Sequence, residues 1–218
     1  MLKAVIFDMD GVIVDSEPVH EKVCKRRFKE LNINVTDEEY DAFVGTTNTE
    51  MWTIIKSKYN LNETVEELVS MHLEEVMEYL RESDETPIPG IKDLLGSIKR
   101  EGIKIALASS SPMENIELVL EKFGIGDYFE SVISGENLER SKPAPDIFLK
   151  SAEKLGVNPE NCVVIEDSHN GVKAAKAAGM KCVGFKNINS GNQDLSMADI
   201  IVYSIEDVNI ERLKALFE

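Results

Sequence analysis

The stretch Ala4-Val5-Ile6-Phe7-Asp8-Met9-Asp10-Gly11 places two carboxylates and a glycine directly after a short apolar run. An apolar run of this length that contains β-branched residues predicts a strand buried on both faces. In open parallel α/β sheets, ligands bind at the carboxyl ends of the strands. Asp8 and Asp10 are therefore candidate functional residues, although an Asp-x-Asp pair taken alone also fits an acidic strand end without a function.

The rest of the chain alternates short apolar runs with longer amphipathic stretches. This alternation predicts an α/β fold with a parallel sheet and helices on both of its faces. The expected strands are Lys3–Phe7, Ile103–Ala108, Ser131–Ser134, Cys162–Ile165, Lys181–Phe185 and Ile200–Val202. The expected helices between and after them cover residues 91–100, 113–123, 145–155, 170–178 and 206–216.

One region breaks the alternation, because its pattern is helical throughout. Ser16-Glu17-Pro18 predicts a helix start with Ser16 as the N-cap. An apolar stripe at helical spacing then runs through Val65, Leu68, Val69, Leu73, Val76 and Leu80. We therefore expect an all-helical domain at 16–84, inserted into a core made of 1–15 and 85–218. An insertion directly after the first strand predicts a lid or cap over the carboxyl edge of the sheet.

Composition and charge exclude several classes of protein. Lys and Arg number 24 against 40 Asp and Glu, which gives a formal net charge of −16, whereas nucleic-acid binding needs a concentrated basic face. The best basic run, Lys25-Arg26-Arg27, is expected on the solvated side of a helix. No apolar stretch approaches the roughly 18 residues of a membrane span, and Asp8 comes too early for a signal peptide. We expect a cytoplasmic protein that binds neither nucleic acid nor membrane.

Polar side chains recur where the expected strands end. Ser109-Ser110-Ser111 follows the second strand, Glu166-Asp167 follows the fourth, and Lys142 lies in a loop between them. This set of residues is consistent with phosphoryl transfer. Hard oxygen ligands favour Mg²⁺, which can bridge a carboxylate and a phosphate. We expect Asp8 and Asp167 to hold this metal, with Glu166 as a further candidate ligand.

Each candidate has a role in such a reaction. Asp8 is the expected nucleophile, forming an aspartyl-phosphate, and Asp10 is the expected general acid and base. Lys142 offers a point charge to a phosphate oxygen, which offsets the repulsion between two anions. Ser109 is expected to bind the remaining phosphate oxygens, and Ser110 and Ser111 are further candidate substrate contacts. For Ser111 a structural alternative stays open, because Ser111-Pro112-Met113-Glu114 also has the pattern of a capping box.

With these residues in order, the sequence resembles the haloacid dehalogenase superfamily. The match rests on the four ordered motifs Asp8–Asp15, Ser109, Lys142-Pro143 and Glu166-Asp167, and it covers essentially the whole chain. The resemblance implies a Rossmann-like core, a four-helix-type cap and Mg²⁺-dependent phosphate chemistry. It also implies that Asp10 contributes its backbone carbonyl to the metal. A second Asp in the first motif points to the phosphatase and mutase branch, because dehalogenases lack that acid.

Within this branch the sequence is most similar to β-phosphoglucomutases and sugar-phosphate phosphatases. His20 falls where the mutases carry a His that helps gate the general acid, and it is a candidate substrate contact. The mutase pattern has a stretch whose Arg binds the distal phosphate of the substrate. This sequence has Gly45-Thr46-Thr47-Asn48 at that place, so Asn48 stands where the Arg is expected. Ser111-Pro112-Met113 likewise replaces a Ser-Lys-Asn run.

Two missing cation-bearing positions favour hydrolysis over mutase activity, since a mutase must hold a second phosphate. We therefore expect a phosphatase that acts on a small phosphorylated metabolite, with a sugar phosphate as the favoured class. A β-phosphoglucomutase-like mutase is the alternative. A non-catalytic phosphate-binding module is a third hypothesis, but it requires the loss of a catalytic group, and none is lost. Because the cap fills the role of a partner subunit, we expect a monomer.

Overall fold

The computed structural model describes residues 1–44 and 46–218. The chain forms two compact units, one made of Met1–Asp15 with Thr86–Glu218 and the other of Ser16–Glu85. We call the first the core unit and the second the helical unit. Gly45, which belongs to the stretch compared above with the mutase pattern, lies outside the described residues.

The core unit is built on a parallel sheet. Its strands are β1 (Ala4–Phe7), β2 (Lys104–Ser109), β3 (Ser131–Ser134), β4 (Cys162–Glu166), β5 (Lys181–Phe185) and β6 (Ile200–Val202). Their order in the sheet is β3-β2-β1-β4-β5-β6, and each neighbouring pair is parallel. This confirms the predicted α/β, Rossmann-like fold class. The strand order reverses at β1, and doubly wound sheets bind their ligands at such a reversal.

The helical unit contains α1 (Glu17–Glu30), α2 (Asp37–Asp41), α3 (Asn48–Tyr59) and α4 (Val65–Glu82). Helices α1 and α3 both pack against α4, around a cluster that includes Trp52 and Leu68. The predicted apolar stripe explains this packing, because Leu68, Val76 and Leu80 are all buried. Ser16 precedes α1 as predicted, but its side chain makes no capping hydrogen bond.

An ion cluster joins α1 to α4 within the helical unit. Arg26 and Arg27 both contact the carboxylate of Glu75. The side chain of Arg27 is only 15% exposed, so the expectation that the basic run is solvated is wrong at this residue. The reason is that a neighbouring helix supplies a carboxylate, which the local sequence around Arg27 does not reveal.

The helices of the core unit follow the predictions closely, with one exception. They are α5 (Ile91–Arg100), α6 (Met113–Phe123), α7 (Asp146–Leu155), α8 (His169–Ala177) and α9 (Ile210–Ala215). The single helix predicted over 206–216 is instead a 3₁₀ turn at Ile205–Asp207 followed by α9. Asn209 explains the break, because its side chain accepts a hydrogen bond from the Arg212 N–H at 2.9 Å and caps a new helix. In the part of the chain that the structure describes, none of the helices is both long and apolar enough to cross a bilayer.

Both faces of the sheet are buried. Ala4 and Ile6 point to one face of β1 and Val5 and Phe7 to the other, and all four residues have no exposed surface. On the first face, α7 and α8 pack against the strands, with Phe148 in the same cluster as Ala4 and Ile6. Strands covered on both faces hold their ends in fixed positions, which is what a catalytic site at the carboxyl edge needs.

Candidate active site

Three adjacent strand ends of the core unit bring predicted site residues together. Asp8 directly follows β1, Ser109 is the last residue of β2, and Glu166 is the last residue of β4. Since β2 and β4 flank β1 in parallel register, the three residues lie at one edge of the sheet. The Asp8 N–H continues this pairing by donating to the Ile165 carbonyl at 3.0 Å.

A buried lysine links two of the carboxylates. Lys142 Nζ lies 2.5 Å from Asp8 Oδ1 and 2.7 Å from Glu166 Oε1. It also lies 3.5 Å from the Ala108 carbonyl oxygen and 5.0 Å from the centroid of the Phe148 ring. The Lys142 side chain is 8% exposed, so this cation is not a solvated surface charge.

Glu166 is held on both sides of its carboxylate. Its Oε1 atom contacts Lys142, while Oε2 accepts hydrogen bonds from the Ser168 N–H at 2.8 Å and the Ser168 hydroxyl at 2.9 Å. A side chain at Gly171 would place its Cβ only 1.7 Å from Glu166 Oε1, so the glycine leaves room for the carboxylate. This arrangement favours Glu166 as a residue that positions Lys142. Its predicted direct contact with the metal stays a prediction.

The buried carboxylates of this site outnumber the buried cation. Burial raises the pKa of Asp8 well above its ordinary value; Lys142 opposes this effect, and the charges of Glu166 and Asp167 add to it. Burial, followed by the charge of Glu166, also raises the pKa of Asp167. Burial alone would lower the pKa of Lys142, but the charges of Asp8 and Glu166 outweigh it and raise that pKa. Lys142 is therefore charged, while the ionised forms of Asp8 and Asp167 are costly here unless a further cation offsets their charge.

Asp10 is bound by the serines that follow β2. Its Oδ2 atom accepts hydrogen bonds from the Ser111 hydroxyl at 2.7 Å and the Ser109 hydroxyl at 3.3 Å. The Ser111 N–H in turn donates to the Ser109 hydroxyl at 3.0 Å. The capping-box interpretation of Ser111 is wrong, because α6 has Pro112 as its N-cap and no side-chain cap bond. The hydroxyl of Ser111 is instead turned toward Asp10.

Ser134 and Gly135 lie beside this loop and were not among the predicted site residues. The Ser134 hydroxyl, at the end of β3, donates to the Ser111 carbonyl at 2.7 Å. A Cβ at Gly135 would lie 3.1 Å from Ser110 Cα, so the glycine allows the exposed Ser110 to approach. The rule that marked the other strand ends would have found Ser134, since it is the last residue of a predicted strand.

Asp167 lies against the turn that follows β1. Gly11 has a φ of +76°, and a Cβ there would lie 2.0 Å from Asp167 Oδ2 and 2.9 Å from the Ser190 hydroxyl oxygen. Only glycine fits this position, because both the backbone conformation and the close approach exclude a side chain. The Ser190 hydroxyl donates to Asp167 Oδ2. Ser190 follows β5 and was not among the predicted site residues.

The donor set can be compared with the needs of a metal ion. Within residues 1–44 and 46–218, no group of three or more His, Cys, Asp or Glu side chains is arranged to hold one. The predicted Mg²⁺ site is of another kind, since it uses two carboxylates, Asp8 and Asp167, and the backbone carbonyl of Asp10. These are hard oxygen donors, both carboxylates are only 6% exposed, and a bound cation would offset the cost of ionising them at this buried place. The residues present therefore fit Mg²⁺.

Two predicted substrate contacts belong to the helical unit. His20 lies on α1 and Asn48 is the first residue of α3. His20 Nδ1 lies 2.8 Å from His72 Nε2, and the Cys24 sulfur lies 3.6 Å from His72 Nδ1. Burial, followed by the charge of His20, lowers the pKa of His72 to about 3. The substrate-binding roles of His20 and Asn48 stay predictions.

The sequence matches a known protein family over most of its length. The profile of the family described as haloacid dehalogenase-like hydrolase matches residues 5–185, which is most of the chain. The chain belongs to this family. Membership confirms the resemblance inferred from the four motifs, and the family's fold agrees with the sheet described above.

Named relatives of this haloacid dehalogenase-like hydrolase include a mutase and a phosphatase. The β-phosphoglucomutase of Bacillus subtilis (strain 168) is 34% identical, with 100% of this chain and 96% of the relative aligned. The phosphorylated carbohydrates phosphatase of Thermotoga maritima is 30% identical, with 95% and 96% aligned. These similarities confirm the branch that contains β-phosphoglucomutases and sugar-phosphate phosphatases.

The chain is also similar to a solved structure and to part of a much longer protein. The crystal structure of a CbbY variant from Rhodobacter sphaeroides in complex with xylulose-(1,5)bisphosphate has a TM-score of 0.83 and 25% identity, covering 96% of this chain and 97% of that one. The chloroplastic protein SUPPRESSOR OF QUENCHING 1 of Arabidopsis thaliana is 33% identical over 85% of this chain, which spans 18% of that protein's length.

Proposed function

We propose that this protein is a Mg²⁺-dependent phosphatase that hydrolyses a small phosphorylated metabolite, with a sugar phosphate as the favoured class. The observation that carries the proposal is the buried Lys142, which contacts Asp8 at 2.5 Å and Glu166 at 2.7 Å at the edge where parallel sheets bind ligands. A carboxylate beside a fixed cation suits attack on a phosphate, because the cation offsets the repulsion between the two anions.

Asp8 is the proposed nucleophile. One of its carboxylate oxygens forms a bond to phosphorus while the bond between phosphorus and the leaving oxygen breaks, giving an aspartyl-phosphate. Water then attacks the phosphorus, the bond to Asp8 breaks, and inorganic phosphate leaves with the carboxylate restored. Lys142 holds Asp8 in place and faces the charge that develops on the phosphate oxygens, which is where most of the catalysis of phosphoryl transfer arises.

Asp10 is the proposed general acid and base. In the first step it gives a proton to the leaving oxygen, and in the second it takes a proton from the attacking water. The Ser111 hydroxyl, at 2.7 Å from Asp10 Oδ2, holds the carboxylate in one orientation. Ser109 has a proposed contact with the phosphate oxygens in addition to its weaker bond to Asp10.

Asp8, Asp167 and the backbone carbonyl of Asp10 are the proposed ligands of Mg²⁺. When bound, the ion would neutralise phosphate charge and align the phosphate with the attacking carboxylate. Glu166 has its two oxygens on Lys142 and Ser168, so we assign it to positioning the lysine. Cytoplasmic localisation and a monomeric state stay predictions.

The names of the relatives favour a phosphorylated carbohydrate as the substrate. They include a phosphorylated carbohydrates phosphatase and a protein crystallised with a sugar bisphosphate. A β-phosphoglucomutase-like activity is the second candidate, because a named mutase is 34% identical over the full chain. Asn48 and Pro112-Met113 favour hydrolysis, since they replace the expected Arg and Lys-Asn of the mutase pattern.

Phosphate release from a panel of phosphosugars and nucleotides, with Mg²⁺ and with EDTA, tests the proposal. The panel includes β-glucose 1-phosphate with a coupled assay for glucose 6-phosphate. We expect Mg²⁺-dependent release of phosphate that Asp8→Asn abolishes and that Asp93→Asn, on the exposed face of α5, leaves unchanged. Glucose 6-phosphate formed without release of phosphate would instead identify a mutase. Hydrolysis retained in Asp8→Asn would contradict the aspartyl-phosphate route.

A further inference from the structure

The segment that follows β5 folds back onto the site through side-chain hydrogen bonds. Asn187 Nδ2 donates to the Gly11 carbonyl at 3.0 Å and lies 3.2 Å from Asp15 Oδ1. Asn189 Nδ2 donates to the other oxygen of Asp15 at 2.5 Å, and the Asn189 N–H donates to Asn187 Oδ1 at 2.9 Å. Asn187 is buried, at 6% exposed. Hydrogen bonds therefore tie the segment to the middle and to the last residue of the first motif.

These hydrogen bonds place Ser190, the residue after Asn189, beside Asp167. The Ser190 hydroxyl donates to Asp167 Oδ2 at 2.5 Å, and the Ser190 N–H donates to the Asn187 carbonyl at 3.3 Å. The backbone of Gly11 lies close to both groups, because a Cβ there would be 2.0 Å from Asp167 Oδ2 and 2.9 Å from the Ser190 hydroxyl oxygen. Asp167 Oδ2 thus has a hydroxyl donor and the Gly11 backbone as close neighbours.

We propose that Ser190 is a positioning residue that sets the orientation of the Asp167 carboxylate for Mg²⁺, held there by the Asn187–Asp15 bonds. This inference rests on the proposed function and deepens it. Residues that hydrogen-bond to a metal-binding carboxylate orient it, and their loss typically weakens metal affinity by about 10–100-fold. Ser190 acts through Asp167 and need not touch the substrate.

The chain offers a matched control for this role. Ser196 lies later in the same β5–β6 connection, beside Asp194, and its N–H donates to Asp194 Oδ1 at 3.0 Å. Both residues of that pair are exposed. Ser196→Ala therefore removes a serine hydroxyl beside an aspartate at a place outside the proposed metal site. Ser190→Thr keeps the hydroxyl and tests whether the hydrogen bond is what matters.

The experiment is a Mn²⁺ titration of the purified full chain, followed by the electron paramagnetic resonance signal of free Mn²⁺. We expect Ser190→Ala to weaken binding by about 10–100-fold, and Ser190→Thr and Ser196→Ala to bind like the parent protein. A melting curve without metal checks that Ser190→Ala is folded. In turnover assays, the Mg²⁺ concentration for half-maximal rate should rise in Ser190→Ala by a similar factor, with the substrate KM at saturating Mg²⁺ unchanged.

The outcomes separate this inference from the proposed function. Equal Mn²⁺ affinity in Ser190→Ala and Ser196→Ala would overturn the role of Ser190, while leaving a Mg²⁺-dependent phosphatase intact. A large loss of affinity in Ser190→Ala, in a protein that releases no phosphate from any substrate, would uphold Ser190 and reject the phosphatase. A parent protein that binds no Mn²⁺ would overturn both the metal site and the role of Ser190.

Discussion

Replacing Gly171 by Ala tests whether Glu166 holds Lys142 in place, because a side chain at Gly171 would displace the Glu166 carboxylate. Two opposing effects on stability compete at this position. Gly171 lies in α8, where alanine is favoured over glycine by about 1 kcal/mol in a helix interior. The added Cβ, however, would lie 1.7 Å from Oε1, 1.9 Å from Cδ and 2.4 Å from Oε2 of Glu166. The carboxylate must then move by more than an ångström and give up its bonds to Lys142 and Ser168.

The size of the loss follows from the burial of the pair. Glu166 and Lys142 have side chains that are 1% and 8% exposed, and breaking a buried ion pair costs about 3–5 kcal/mol. The gain in helix propensity offsets part of this cost. We therefore expect Gly171→Ala to lower the free energy of unfolding by about 2–4 kcal/mol. Turnover should fall as well, because Lys142 loses the carboxylate that holds it beside Asp8.

Gly96→Ala is the matched control, measured in the same urea titration. Gly96 also lies in a helix of the core unit, α5, and a Cβ there would meet no atom within 4 Å. We expect this variant to gain about 0.5–1 kcal/mol and to keep its turnover. A stability gain in Gly171→Ala equal to that in Gly96→Ala would refute the packing argument and with it the role assigned to Glu166.

Three further predictions concern Lys142, Ser111 and His72. Lys142→Met should lower kcat by at least about 100-fold at saturating Mg²⁺, by loss of the charge that stabilises the transition state; steady-state kinetics tests this, and a near-normal kcat contradicts it. Ser111→Ala should lower kcat more than it changes KM, because Asp10 loses its 2.7 Å hydrogen bond; an unchanged kcat would remove Ser111 from the mechanism. The lowered pKa of His72 keeps this residue neutral in the fold, so it destabilises the protein as the pH falls below about 6.5 and the unfolded chain takes up the proton. Urea titrations at pH 7.5 and 5.5 should show a smaller pH-dependent loss in His72→Phe than in the parent protein, and equal losses would contradict the assignment.

The sequence predicted the sheet well, and it predicted which polar residues meet at one edge, for a physical reason. Strands buried on both faces leave continuous apolar runs, and the polar residues that end them stand out, as Asp8, Ser109 and Glu166 do. The parallel order of the strands then brings these ends together. Helix boundaries that depend on a single capping residue were less predictable. The example is Asn209, which caps α9 and so divides the helix predicted over 206–216.

Contacts that depend on the relative placement of loops could not be predicted from spacing. Ser111 has a capping-box pattern, and only the structure reveals that its hydroxyl contacts Asp10. Ser190 and Asn187 lie more than 170 residues from the first motif that they contact, and no familiar motif marks them. They do follow a predicted strand, so applying the strand-end rule to β5 would have drawn attention to this segment.

The central claim is that Asp8 carries the phosphoryl group during turnover. Acid quenching of the enzyme with p-nitrophenyl phosphate, followed by peptide mass spectrometry, tests this directly. The Asp10→Asn variant is included because its slower hydrolysis should let the intermediate accumulate. We predict a phosphorylated peptide at Asp8 in Asp10→Asn that is absent when Asp8 is replaced by Asn. Phosphate release by the parent protein with no phosphorylated Asp8 in either form, and with activity retained in Asp8→Asn, would contradict the account.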